Sequence, residues 1–133
     1  MSPPFAIRDL GEVALRCRDL DVMLAFYRDM IGLPVLRPPV DGIAFFKICQ
    51  GHAGHTTVLA LFEGAPHGTS SLHHLALNIA YGEQEAALAW FDEHGLAPRV
   101  QCFPWIGWRG VFVSDPEGNT VELVAYDPNR SPG

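Results

Sequence analysis

Lysine is almost missing from this chain: Lys47 is the single one among 133 residues, and the formal net charge is −6. Nucleic-acid binding needs a basic face to meet phosphate, so no nucleic-acid partner is expected. Cysteine is sparse as well. Cys17, Cys49 and Cys102 make an odd number with no Cys-x-x-Cys spacing. They read as small apolar residues in a reducing compartment, not as a disulfide frame. Long apolar runs are absent too, since nothing approaches the ~20 residues that span a bilayer. Residues 1–10 lack the basic start and apolar core of a signal peptide. No membrane association is expected, and cytoplasmic residence follows as the default. With 48% hydrophobic and 18% charged residues and no biased tract, the chain has an ordinary globular composition. Its length fits a single domain, 1–133, able to bury roughly two-thirds of its unfolded surface.

What the chain does have is a repeat. Gly11-Glu12-Val13-Ala14-Leu15-Arg16-Cys17 opens the first half and His73-His74-Leu75-Ala76-Leu77-Asn78-Ile79 the second. Each alternation is followed by an amphipathic helical stretch and a Gly-Leu turn, at Gly32-Leu33 and Gly95-Leu96. Positions 12 and 74 are offset by 62, and the same offset carries Ala60 onto Glu122. A duplicated unit fixes which residues are equivalent, and here the equivalent positions hold Glu, His, Ala and Glu.

Period-two alternation predicts strands at 12–17, 43–49, 56–62, 72–79, 99–103, 109–113 and 120–125. Val35-Leu36 reads as a further short strand, broken by Pro38-Pro39. Helical spacing of Val22, Phe26 and Met30 and of Leu24, Tyr27 and Ile31 predicts a helix capped by Asp19 or Asp21 and stopped by Gly32 and Pro34. A second helix is predicted at about 83–93. The fold class is therefore α+β, as two tandem βαβββ modules: module 1 at about 10–63, a connector at 64–71, module 2 at about 72–126, and a frayed tail at 127–133. Each sheet should carry its helix on one face and leave the other open.

On the open face alternation places Glu12, Ala14 and Arg16, then His74, Ala76 and Asn78, then Thr120, Glu122 and Val124. Val13, Leu15, Leu75, Leu77, Val121 and Leu123 face the helices. Carboxylates inside apolar strands are costly unless they are paired or bound to a metal. Two readings follow. Glu12, His74 and Glu122 form a divalent-metal site with open coordination positions, or the two glutamates pair with Arg16, Arg109 or protonated His74 in a polar network. Around the site, Arg16 and Asn78 are placed to hold an oxygen-rich substrate. Phe46, Trp105 and Trp108 are candidates for an aromatic wall, and His55 for a substitute ligand or base. His73 should face the helix side or solvent, and His52, His67 and His94 read as loop residues.

The chain resembles the vicinal oxygen chelate superfamily, the glyoxalase/bleomycin-resistance/dioxygenase group, over about residues 10–126. The resemblance rests on Val13-Ala14-Leu15-Arg16 with Asp19-Leu20-Asp21, and on Ala25-Phe26-Tyr27-Arg28-Asp29 with Ile31-Gly32-Leu33. It is completed by Asp115-Pro116-Glu117-Gly118-Asn119 with Val121-Glu122-Leu123. It implies paired βαβββ modules forming a cup-shaped curved sheet around a divalent ion (Mn, Fe, Zn, Ni or Mg). It also implies a homodimer. By resemblance, His74 matches the ligand that opens the second module and Glu122 the closing carboxylate. Glu12 stands where most metal-binding members have histidine, and Ala60 where four-ligand lyases and isomerases place Glu, Gln or His. The implied function is a divalent-metal-dependent enzyme of lyase, isomerase or dioxygenase type chelating a small oxygen-rich substrate, with Glu122 and Glu12 also as catalytic carboxylates. The alternative is a metal-free binding protein for an antibiotic or metabolite, of the bleomycin-resistance type.

Overall fold

A computed structural model describes Pro4 and residues 6–65 and 72–129. Most of the expected connector, with His67, and the end of the tail lie outside the described residues. The chain divides into two compact units, residues 1–69 and 70–133. Both are four-stranded mixed sheets carrying a helix, in the α+β order the alternation predicts.

In the first unit β1 (Glu12–Cys17) leads into α1 (Leu20–Ala25) and a π-helical turn (Phe26–Met30), followed by β2 (Val35–Val40), β3 (Ile43–Gln50) and β4 (Thr56–Glu63). The strand order is β1-β4-β3-β2, with β1 parallel to β4 and the other pairs antiparallel. The Asp19 carboxylate caps α1 by accepting from the Val22 backbone N–H at 3.1 Å. The helix predicted through Ile31 widens after Ala25, where the Ile31 N–H donates back to the Phe26 carbonyl. Met23, Leu24, Phe26 and Tyr27 from this segment are buried with Leu15, Cys17, Leu59 and Leu61 of the sheet.

Contrary to expectation, Pro38 and Pro39 do not break β2. It is an edge strand, so the missing N–H groups cost no ladder bond on the free side, and register shifts on either side of Arg37 absorb the irregularity. Asp41 and Gly42, both at positive φ, close the β2–β3 hairpin.

The second unit repeats this order with β5 (Leu75–Asn78), a 3₁₀ turn (Tyr81–Glu83), α2 (Gln84–Glu93), β6 (Arg99–Phe103), β7 (Trp108–Ser114) and β8 (Thr120–Tyr126). Its strand order is β5-β8-β7-β6. Leu75, Leu77, Phe91, Val111, Val121 and Leu123 form the core. Gln84, fully buried, ties helix to sheet. Its amide N donates to the Arg109 carbonyl at 2.7 Å and the Leu123 carbonyl at 3.2 Å, and its amide O accepts from the Arg109 guanidinium at 3.1 Å. β5 is shorter than the 72–79 alternation predicts. His74 therefore immediately precedes a strand, Glu12 begins one, and Glu122 alone of the three lies within one.

Candidate functional site

The β7–β8 turn sets the height of Glu122. Buried Asp115 accepts from the Glu117 and Asn119 backbone N–H groups, both at 2.9 Å, while the Asn119 amide returns a 2.8 Å bond to its other oxygen. From there β8 runs with Thr120, Glu122 and Val124 on the open face. Glu122 stands in register between Ala76 on β5 and Phe112 on β7. Its carboxylate lies against the position where a Cβ on Gly110 would be. A glycine inside a strand marks such a close approach, and here it makes room for the acid.

Glu122 is only 4% exposed. The His74 Nε2 lies 3.2 Å from its Oε1. Burial holds this carboxyl above its ordinary range, while the neighbouring imidazole pulls it partly back by charge and hydrogen bonding. Behind His74, the Nδ1 atoms of His73 and His74 are 2.9 Å apart. One of these two ring nitrogens donates to the other. His73, expected on the helix side or in solvent, is exposed but touches His74. A cavity of about 270 Å³ opens over the pair, walled by Phe103 and Phe112 and carrying Arg99 and Gln101 at its edge.

Glu12 is exposed at the start of β1, opposite Val58. Arg16 lines a cavity of about 230 Å³ with Ala14 and Phe62 on the open face of the first sheet. Asn78, its counterpart, instead latches strand ends, donating to the Val124 carbonyl at 2.9 Å and the Ile79 carbonyl at 3.2 Å. His55 sits against Gly11 and lines a different cavity of about 280 Å³ with Asp9 and His52. Phe46 does not reach the open face. It is fully buried on the helix side, 6.2 Å from the Tyr27 ring, and Phe45 takes the open-face place opposite Ala60. Trp105 and Trp108 are exposed in the second unit, Trp108 in register with Phe103 and Tyr126. Arg109, offered as a partner for Glu122, turns to the helix side and bonds Gln84 and Glu85.

The geometry thus brings His74 and Glu122 together. Within either unit, among the described residues, no three His, Cys, Asp or Glu side chains form a metal cluster. Arg99, Gln101 and Gly110 were not singled out from the sequence. The alternation of 99–103 on an edge strand was the available signal for the first two, and a glycine inside a predicted strand for the third.

The sequence model of the Glyoxalase/Bleomycin resistance protein/Dioxygenase superfamily matches residues 9–123. Among solved structures, a lactoylglutathione lyase from Agrobacterium tumefaciens is similar at 28% identity over 93% of this chain and 96% of its own, with a TM-score of 0.68. A glyoxalase/dioxygenase from Nostoc punctiforme is 24% identical over 97% of each chain, with a TM-score of 0.71. A mutant of the fosfomycin resistance protein FosX from Listeria monocytogenes, complexed with Mn(II) and a dihydroxypropylphosphonic acid, is 19% identical over 89% of this chain and 90% of its own, with a TM-score of 0.68. No curated protein matches. The repeated βαβββ order and the match over most of its length place this chain in the Glyoxalase/Bleomycin resistance protein/Dioxygenase superfamily.

Proposed function

We propose that the protein is a divalent-metal-dependent enzyme that chelates a small oxygen-rich substrate. His74 and Glu122 are two of the ligands, and Glu12, the counterpart of His74 in the first unit, is the third. The observation that carries this reading is the buried Glu122 carboxylate with the His74 Nε2 at 3.2 Å, under an open cavity. An imidazole nitrogen and a carboxylate oxygen are a borderline-to-hard donor pair that suits Mn, Fe, Zn, Ni or Mg. Burial disfavours the bare anion, and a cation taking the proton's place offsets that cost. Mn(II) in the FosX complex is in keeping with this donor set. A bound ion would supply Lewis acidity toward a developing oxyanion.

The chain's own groups do the rest. Glu122, its carboxyl held above the ordinary range chiefly by burial, holds or releases a proton at its carboxylate. His73 fixes the imidazole of His74 through the Nδ1 contact, and Phe103 and Phe112 give the cavity an apolar wall for the substrate's carbon skeleton. Ala60, buried and apolar, offers no fourth donor, which leaves coordination positions for substrate. Two carboxylates and one imidazole are not the two-His-one-carboxylate set of oxygen-activating iron enzymes, which counts against dioxygenation, and Ala60 in place of a fourth donor counts equally against the four-ligand lyases and isomerases.

One observation favours a second reading, a metal-free small-molecule binder: the His74–Glu122 contact already partners the carboxylate. Elemental mass spectrometry of untagged protein, before and after chelator, separates the two. About one equivalent of a divalent metal supports the enzyme. No metal, together with no thermal shift on adding divalent ions, supports the binding protein.

A further inference from the structure

Arg99 opens β6, the edge strand of the second sheet, and is in register with Phe112, which is in register with Glu122. The three side chains form one row across the open face. The guanidinium carbon lies 5.5 Å from the centroid of the Phe112 ring. Arg109 on the neighbouring strand is paired with Glu85 and His74 with Glu122, whereas Arg99 forms no ion pair among the described residues. A guanidinium stacked on a ring keeps its fork of N–H donors oriented and free along its edge, the arrangement that receives a carboxylate or phosphonate in two parallel bonds. Gln101, on the same face of β6, adds a carboxamide beside it.

The repeat supplies a comparison inside the molecule. In the first unit Arg37 lies 5.5 Å from the Phe45 centroid, and its row runs Arg37, Phe45, Ala60. The stacked arginine is therefore common to both sheets, while the acid and the imidazole belong to the second alone. A positive edge residue also discourages edge-to-edge pairing of sheets, and that role accounts for Arg37. It does not account for the placement of Arg99 in the cavity that holds His74 and Glu122.

We propose that Arg99 is the anion anchor of the His74/Glu122 cavity, so that the substrate is a small organic acid bearing a carboxylate or phosphonate. The acid group sits on Arg99 and Gln101, the carbon skeleton lies along Phe112, and the reacting oxygens point at His74. This deepens the reading of the cavity as a substrate site and depends on it, though not on the metal. The Phe112 ring stands between Arg99 and Glu122, which keeps the substrate's anionic end off the buried carboxylate. A cavity of about 270 Å³ admits a metabolite-sized acid rather than a large conjugate.

The test is an NMR titration of the chelator-stripped full chain with methylphosphonate, with acetate, and with chloride at matched ionic strength. It follows the Arg99 Nε–H signal and the backbone amides of β6 and β7. The expected result is a saturable shift with one of the two oxyanions and none with chloride. Arg99→Met, and Arg99→Lys should the first variant fold poorly, weakens it by about tenfold or more. Arg37→Met leaves it unchanged. The anchor is overturned by an unaltered isotherm in the Arg99 variants, by equal weakening in Arg37→Met, or by no saturable shift with either oxyanion. Because the protein is stripped of metal, failure here and failure to bind a divalent ion are separate outcomes.

Discussion

The proposed function rests on Glu122 more than on any other single residue, because the sheet buries an acid that water would otherwise solvate. Its carboxyl is held above the ordinary value of 4.5, chiefly by burial. A group whose folded value is raised stabilises the fold below its unfolded value and loses that contribution as pH rises through the folded one. Metal-free wild type should therefore lose stability relative to Glu122→Gln as pH is raised from below 4.5 toward neutrality, in urea titrations at stepped pH. With a divalent ion present the sign reverses, since the ion requires the ionised acid and its stabilisation grows with pH. A stability difference between wild type and variant that is flat in pH would show that burial does not perturb this carboxyl. The alternation of 120–125 identified Glu122 directly, because period two leaves no choice of face once the apolar partners Val121 and Leu123 are assigned to the helix.

At the scale of elements the site depends on how neighbouring strands pack, and this was less legible. The strand pattern does not fix the register of β3 on β4, and it offers Phe46 as the substrate contact although Phe45 is the residue opposite Ala60. Nor does alternation within one strand show that Arg99, Phe112 and Glu122 share a row, since that requires two pairings at once. Gly110 is the sharpest case. Gly110→Ala puts a methyl on the Glu122 carboxylate. It should cost about 1–3 kcal/mol by overpacking and lower affinity for a divalent ion in calorimetry, while circular dichroism stays that of wild type. Gln84 tests the other face. It is buried with three hydrogen bonds to β7 and β8, and Gln84→Ala leaves two carbonyls without their donor. A loss of about 2–4 kcal/mol in denaturant midpoint stability is expected, with metal binding retained in the folded fraction.

Across the whole molecule the 62-residue offset made the architecture legible, because a repeat converts one recognisable unit into two. The order β1-β4-β3-β2 recurs as β5-β8-β7-β6. The duplication has diverged at the chemistry: Glu12 answers His74, Ala60 answers Glu122, and Arg16 answers Asn78. The sequence could not show that His74 stands just outside its strand, where it meets His73 as well as Glu122. The family resemblance carries the proposal of a homodimer, and exposed Trp105, Trp108 and Tyr126 offer apolar surface for one. Light scattering on a sizing column should then give twice the 14.6 kDa chain mass, and a monomer at micromolar concentration would remove that part of the reading.

Under the proposed function His74 and Glu122 are paired to hold a cation and not merely each other. Calorimetric titration of Mn²⁺ into chelator-stripped wild type and Glu122→Gln tests it most directly. Saturable uptake of about one equivalent by wild type, abolished in a folded Glu122→Gln, is the predicted result. No uptake by wild type, with Glu122→Gln losing about 3 kcal/mol of stability as a broken buried ion pair does, would contradict it.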